Sequence, residues 1–504
     1  MSTAPLTTSD PVRSLIPARI DRLPWSPFHT RMVIALGVAW ILDGLEITVA
    51  SAVGAILNKP ETLNLSSTEV GLIATVYLIG EVVGALVFGR MSDRLGRRNL
   101  FMITLGVYLV GSGLTALTLG SGTAWIVFLY VTRFIAGTGI GGEYAAINSA
   151  IDELIPARYR GRVDIAVNGT CWAGAVLGTL GTFILLNELT PSVGWRIGFL
   201  IGPVLGLVIL LVRRNLPESP RWQIMNGREQ AAEQSISYIE HEVAQSGKTL
   251  PKVDESKAID LRPADQIGYL ALTRVLFREY PSRAILGASL MVSQSFLYNA
   301  IFFTYTLVLE KFYGVPATST SIYLIAFAVG NLAGPLTIGR FFDTIGRKTM
   351  IAGTYIGSGI LLAVSAWLFN AGLLTATTQT ISWCVIFFFA SAGASAAYLT
   401  VSEIFPLEVR AKAIAVFFAI AQCFGAVGPV VYGALIGDGS QPFRLFLGYL
   451  LGAAVMIAGG LVAVVYGVAA EGRSLEDIAA PLAAASRGHA GSTRAEGVAS
   501  PLST

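Results

Sequence analysis

The chain has 504 residues, 53% of them hydrophobic and only 13% charged, against roughly 45–50% apolar and 25% charged in a soluble globular domain. A net charge of +3, with the basic residues scattered among loops, argues against a nucleic-acid partner. The long, uniformly apolar runs exclude a β-barrel, whose strands would alternate apolar and polar residues in segments of about ten.

Residues 1–30 are polar and Pro-rich and lack the basic start, short apolar core and small-residue cleavage site of a signal peptide, so they read as a tail and the first span as retained. Twelve helical spans are then expected, since each apolar stretch offers the about 20 residues needed to cross a hydrocarbon core of about 30 Å. The first six fall at 31–57, 69–89, 99–119, 123–149, 163–186 and 195–213. The second six fall at 284–309, 318–339, 349–369, 381–402, 412–436 and 443–468. Between them, residues 214–283 form a polar linker with helix-compatible pieces, Arg228 to Ala244 and Ala264 to Arg278. That linker is either a tether or a small helical subdomain bracing a gate. Residues 469–504 form a tail rich in Ala, Ser and Gly, expected to be mostly disordered. Cys171, Cys384 and Cys423 all fall inside spans and read as packing residues rather than a disulfide framework.

Orientation follows from the basic loops. Arg90, Arg94, Arg97, Arg98, Arg158, Arg160, Arg162, Arg340, Arg347, Lys348, Arg410 and Lys412 cluster after spans 2, 4, 8 and 10. The opposite side carries little beyond Lys59, Arg196, Lys311 and Arg444. The expectation is a multi-pass protein of the cytoplasmic (inner) membrane with both termini inside.

The sequence repeats itself. Gly89 to Arg98 matches Gly339 to Lys348 at an offset of 250, and the same offset aligns Glu153, Pro156 and Arg160 with Glu403, Pro406 and Arg410. Two motifs sharing one offset make the halves copies, a plan in which the solute site lies at the repeat interface and one half rocks against the other.

With these motifs stand Arg133 to Gly142 in span 4, Pro217 to Trp222 after span 6, Ser402 to Pro406 after span 10 and Glu471 to Glu476 after span 12. Together they resemble the sugar-porter branch of the major facilitator superfamily and its metabolite:proton symporter and synaptic-vesicle-2-like relatives, over nearly the whole chain. The resemblance implies an all-α membrane fold of two pseudo-symmetric six-helix bundles, with a small-molecule substrate and protons as partners.

A gate is expected at the basic loops. Gly89, Asp93, Arg94, Arg97, Glu153, Arg160, Arg162, Glu218 and Arg221 face their counterparts Asp343, Arg347, Glu403, Arg410, Glu471 and Arg473 in the other half. Opposite charges there can pair when the gate closes and part when it opens, each exposed pair contributing about 0 to 1 kcal/mol.

Inside the spans, ionisable residues mark function. Asp43 and Glu46 share a helix face of span 1. The resemblance implies that Asp43 carries the proton beside Arg133 of span 4, with Glu46 as the rival carrier, and a permanent Asp43–Arg133 ion pair is the structural alternative. Glu81 is expected to snorkel or pair structurally, and Glu143 to belong to the gate. The expected substrate contacts are Asn168, Trp172, Gln294, Tyr298, Asn299, Tyr305, Asn331, Tyr398 and Gln422, polar and aromatic groups suited to a small polar solute. Ser293, Leu297 and Tyr398 depart from the sugar-porter pattern in spans 7 and 10, and Asp43-Gly44-Leu45-Glu46 resembles aromatic-acid symporters. An organic acid is therefore expected, with Arg133 as a possible carboxylate partner.

A sugar:proton symporter and an uncoupled facilitator remain open. A drug-type exporter is disfavoured because Gly174 to Gly181 lacks the proline of the exporter pattern, and a sensor because the tails are short. The sequence contains no metal-ligand cluster, nucleotide loop or nucleophile–base arrangement, so no enzyme, cofactor or metal site is expected. A monomer is expected.

Overall fold

The computed structural model describes residues 12–479 apart from 58–60, 66, 214–216, 262–267, 316, 407–409, 438 and 474–477. Its first half contains Pro27–Leu57, Ser67–Leu95, Arg97–Thr115, Thr123–Leu154, the pair Ala157–Gly169 and Cys171–Glu188, and Pro191–Arg213. The second contains Pro281–Tyr313, Ala317–Ile338, Arg347–Asn370, Ala376–Glu403, the pair Arg410–Gly425 and Val427–Ile436, and Pro442–Tyr466. These are spans 1 to 12. Eleven satisfy the length and hydropathy of a membrane crossing on their own. Span 3 completes the set, its apolar character diluted by Arg97, Arg98 and Asn99 at its start.

Several helices run past the apolar stretch that the sequence delimits. Span 4 continues to Leu154 and span 10 to Glu403, so both carry their acidic residues on helix beyond the apolar segment. Span 5 begins at Ala157 rather than near 163.

Glycines set the spacing within each half, because association in lipid depends on close van der Waals packing rather than on expelling water. A Cβ on Gly84 would lie 2.0 Å from the Thr138 carbonyl oxygen, and one on Gly141 would lie 2.0 Å from that of Glu81, so spans 2 and 4 touch through backbone. Spans 1 and 5 meet the same way, at Gly44 against Cys171 and Gly174 against Ile41. The repeat is also conformational. Gly96 (φ 86°) and Gly346 (φ 116°), 250 residues apart, both occupy the positive-φ region that a side chain would strain, and both directly precede the helix that opens the third span of their half.

The linker carries helices and a short strand of its own. Ala232, Ile236, Ile239 and Val243 form the buried face of helix Glu229–Gln245. Part of that face packs with Ile16 and Ile20 of the N-terminal tail and Ile224. Val12–Ser14 of the tail pairs antiparallel with Ile259–Leu261. Arg19 binds Glu233 and Glu240, each at 2.6 Å, and Arg22 binds Glu240 at 2.5 Å. The tail is thus clamped to the linker. Helix Tyr269–Glu279 covers the second expected amphipathic run, whose first residues lie outside the described segments.

Candidate functional site

Between the halves lies a cavity of about 130 Å³, close to the about 150 Å³ that holds a benzene ring in a protein interior. Each lining helix presents one face at helical spacing: Asp43, Gly44, Ile47 and Thr48 from span 1, and Asn168, Cys171, Trp172 and Ala175 from span 5. Gln294, Ser295, Tyr298, Asn299 and Phe302 come from span 7, and Ser391, Ala394, Ser395 and Tyr398 from span 10. Trp40, Tyr144 and Gln422 complete the contacts that matter here.

Seven of the nine expected substrate contacts therefore face the cavity. Two do not. Asn331 stands one layer back, accepting a hydrogen bond from the Tyr298 hydroxyl at 3.1 Å. Tyr305 is buried inside the second half, its hydroxyl donating to the Tyr323 carbonyl at 3.0 Å and its ring 4.8 Å from that of Trp383. Both are polar residues on the right spans, but their helical phase turns them into the bundle. The sequence reading missed Trp40, Tyr144, Cys171, Ser391 and Ser395. The phase of their neighbours carried the signal: Trp40 precedes Asp43 by three residues, Cys171 follows Asn168 by three, and Ser395 precedes Tyr398 by three.

Aromatic rings join the halves across the cavity. Trp40 packs edge-on against Tyr144 with centroids 4.5 Å apart, and Tyr144 stacks on Phe418 at 4.2 Å and lies parallel to Tyr398 at 5.9 Å. On the other wall, Trp172 of the first half meets Tyr298 of the second at 5.6 Å.

The two carboxylates of span 1 have separate surroundings. Asp43 faces the cavity, where its Oδ2 accepts from the Tyr144 hydroxyl at 2.6 Å while its Oδ1 has no hydrogen-bond partner among the described residues. The indole nitrogen of Trp40 is likewise buried without one. Glu46, three residues on, is turned into the first half. It is the residue that pairs with Arg133, and it also accepts from the hydroxyls of Tyr108 (3.1 Å) and Ser112 (2.9 Å). The Arg133 guanidinium lies over the rings of Tyr77 and Phe199, 4.5 and 5.0 Å from their centroids. This corrects the placement of Arg133 beside Asp43 that the resemblance implied, along with the alternative of an Asp43–Arg133 ion pair, and among the described residues leaves Arg133 off the cavity wall, because the Tyr108 and Ser112 hydroxyls hold Glu46 against it. Glu143 is buried on span 4, beside Tyr144 in sequence.

At the basic-loop side the charges are knitted together. Within the first half, Arg97 binds Glu153 at 2.8 Å, and the Glu218 carboxylate accepts from the backbone N–H groups of Arg97 (2.9 Å) and Arg98 (3.3 Å), capping span 3. Burial pushes the Glu218 carboxyl above its ordinary pKa, against those hydrogen bonds. The second half repeats the plan, with Arg347 paired to Glu403 and its backbone N–H 3.4 Å from Glu471. Arg347 also binds Asp343 at 3.2 Å. Among the contacts that cross between halves are Arg160 to Glu403 at 3.8 Å and the Arg162 backbone N–H to Asp343 at 2.8 Å. Asp21, from the N-terminal tail, reaches both Arg160 and Arg221 at 3.6 Å.

This network departs from the expected exposed pairs. Arg97, Glu153, Arg160, Arg221, Arg347, Glu403 and Arg410 are all buried, as is Gly89, whereas Arg94, Arg162 and Arg473 are exposed and Glu471 is half-buried. The side chain of Asp93 lies outside the described residues. Burial changes the energetics, since removing one partner of a buried pair costs far more than the pair contributes net. Among the described residues no cluster of metal-binding side chains occurs.

A sequence profile described as "Sugar (and other) transporter" matches residues 34–481. The chain belongs to this family. It is thus a membrane transporter of the major facilitator fold, not an enzyme, and its partner is a small-molecule substrate. The niacin transporter NiaP of Acinetobacter baylyi is 25% identical over 462 residues, covering 92% of this chain and 99% of that one. The cis,cis-muconate transport protein of the same species is 26% identical, covering 84% and 90%. Among solved structures, the proton:xylose symporter XylE of E. coli bound to 6-bromo-6-deoxy-D-glucose superposes with a TM-score of 0.74 at 20% identity, over 90% of this chain and 98% of that one.

Proposed function

We propose that the protein takes up a small organic acid, about one ring in size, by proton-coupled symport and alternating access. It would act as a monomer in the bacterial inner membrane, with the basic loops, the gate and both termini on the cytoplasmic side. One observation carries the reading: among the described residues Asp43 is the only carboxylate on the cavity wall, and no Arg, Lys or His lines it. An anion entering such a cavity needs its charge balanced, and a proton on Asp43 supplies both the balance and a hydrogen-bond donor for the incoming carboxylate. The aromatic walls and the ring-sized volume supply the apolar share of binding. The niacin and cis,cis-muconate transporters lend support, each named for an organic acid. Glu46, tied to Arg133, is assigned to holding spans 1, 3 and 4 together.

The test is uptake of labelled nicotinate, muconate, benzoate and xylose into proteoliposomes. A monoanion entering with one proton is electroneutral, so an inward gradient of one pH unit gives tenfold accumulation, about 1.4 kcal/mol, while a membrane potential adds nothing. A neutral solute with one proton would gain about 2.3 kcal/mol per 100 mV, roughly 50-fold. Asp43→Asn abolishes accumulation and spares exchange. Equilibration without accumulation, unchanged in Asp43→Asn, leaves an uncoupled facilitator and defeats the proposal. The amides of Asn168, Gln294, Asn299 and Gln422 at the cavity favour a polyol as the second reading, and potential-driven xylose uptake would establish it.

A further inference from the structure

A second buried carboxylate stands where the two halves meet. Glu81, in the middle of span 2, is completely buried, and its Oε2 accepts a hydrogen bond from the side-chain amide of Gln422 on span 11, in the other half. Its Oε1 has no partner among the described residues. The same Gln422 lines the solute cavity and accepts through Oε1 from the Ser295 hydroxyl at 2.7 Å. A solute that engages the Gln422 amide therefore competes for the group that holds Glu81.

The backbone beneath Glu81 is fixed in the first half. Gly137 and Gly141 of span 4 leave no room for a side chain against it, a Cβ on Gly141 falling 2.0 Å from the Glu81 carbonyl oxygen. Its carboxylate reaches across to the second half. Eight residues separate Glu81 from Gly89 at the gate, about 12 Å of helix, so the bond closes the halves at the depth of the solute and below it the gate closes them at the basic side. We propose that Glu81 is a second proton-coupling group of the transport cycle, its bond to Gln422 being the point at which proton and solute jointly release the closed halves.

The proposal rests on the symport reading but assigns a different residue from Asp43. The titratable and charged groups around Glu81 are Tyr77 on its own helix, Asp43 on span 1, Arg133 and Tyr144 on span 4, Cys171 on span 5 and Tyr398 on span 10. Arg133 is paired with Glu46, and Asp43 lies nearby, so among the described residues Glu81 has no salt-bridge partner of its own. An ionised Glu81 binds the amide by a charge-assisted bond, roughly twice as strong as a neutral one. Protonation lowers that bond to the neutral case, and the lost difference shifts the closed-to-open ratio by about fivefold.

Protons alone are the probe. Spin labels at Asn99→Cys and Thr344→Cys, exposed positions on the basic-loop side of the two halves, report gate separation in nanodiscs across pH, with Cys384 and Cys423 replaced by serine. In the otherwise native chain the open population rises as pH falls. Glu81→Gln, an uncharged isostere, holds the open population at every pH near the native chain's low-pH level, about fivefold above its high-pH level, and so flattens the response, whereas Asp43→Asn keeps the response. Gln422→Leu, which removes the donor instead, gives the same phenotype as Glu81→Gln and guards against a folding defect in either variant. A pH response retained by both Glu81→Gln and Gln422→Leu, or absent from the native chain, overturns the assignment. The symport reading is decided separately, by flux through Asp43→Asn.

Discussion

Replacing Glu403 by glutamine tests whether the buried charges of the basic-loop side set the conformational balance of the transporter. Glu403 has two cationic neighbours with different roles. Arg347 belongs to the same half, so losing that pair costs the closed and open forms alike, and Arg347 retains Asp343 at 3.2 Å. Arg160 belongs to the other half and lies 3.8 Å away. At an effective dielectric of about 20, two unit charges at that separation attract by about 4 kcal/mol. Opening returns both groups to water and offsets most of this, leaving a net bias of about 1 to 2 kcal/mol, a factor of roughly 5 to 30. Glu403→Gln keeps the shape and loses the charge, so the open population at the Asn99–Thr344 label pair rises by that factor, with the folded state preserved. An unchanged distance distribution in a well-folded variant would refute the idea that this pair biases the gate.

The two carboxylates of span 1 should behave oppositely. Glu46→Gln leaves Arg133 buried without its counter-charge and lowers stability by about 3 to 5 kcal/mol, seen as a drop in thermal midpoint in detergent. Asp43→Asn keeps an acceptor for Tyr144 and leaves the midpoint nearly unchanged. Gly44→Ala would place a Cβ 1.7 Å from the Cys171 carbonyl oxygen, forcing spans 1 and 5 apart, and size-exclusion chromatography should show loss of monodisperse protein. The clamp between tail and linker depends on pH. Partial burial pushes Glu240 up, but hydrogen bonds from Arg19 and Arg22 outweigh it and hold its carboxyl below the ordinary range. The clamp's stability is therefore full above the ordinary glutamate pKa of about 4.3 and is lost as pH falls through the depressed value. Amide exchange in 229–245 should accelerate only below that range, and Glu240→Gln should remove the dependence.

The number of spans and the duplication were legible in the sequence, because hydrocarbon must be met by about 20 apolar residues per crossing and because motifs at one offset survive in the loops. The charged residues of the basic loops were legible too, since charges at membrane edges are sparse and recur in both halves. Their burial was not, because it arises when two copies of the loop region close on each other. Nor could the sequence show that the N-terminal tail is stitched to the linker, since Arg19 and Glu240 are 221 residues apart. At the cavity, residue type singled out seven contacts, but helical phase relative to neighbouring spans decided the rest. It turned Tyr305 and Asn331 inward and brought Trp40 and Tyr144 to the wall. The sharpest case is Asp43 and Glu46. Three residues apart on one helix face, they were told apart in the sequence by resemblance alone, which set Asp43 rather than Glu46 beside Arg133. Only the placement of Tyr108, Ser112 and Arg133 against one of them, and of the open cavity against the other, separates a carboxylate tied into the first half from one that faces the cavity.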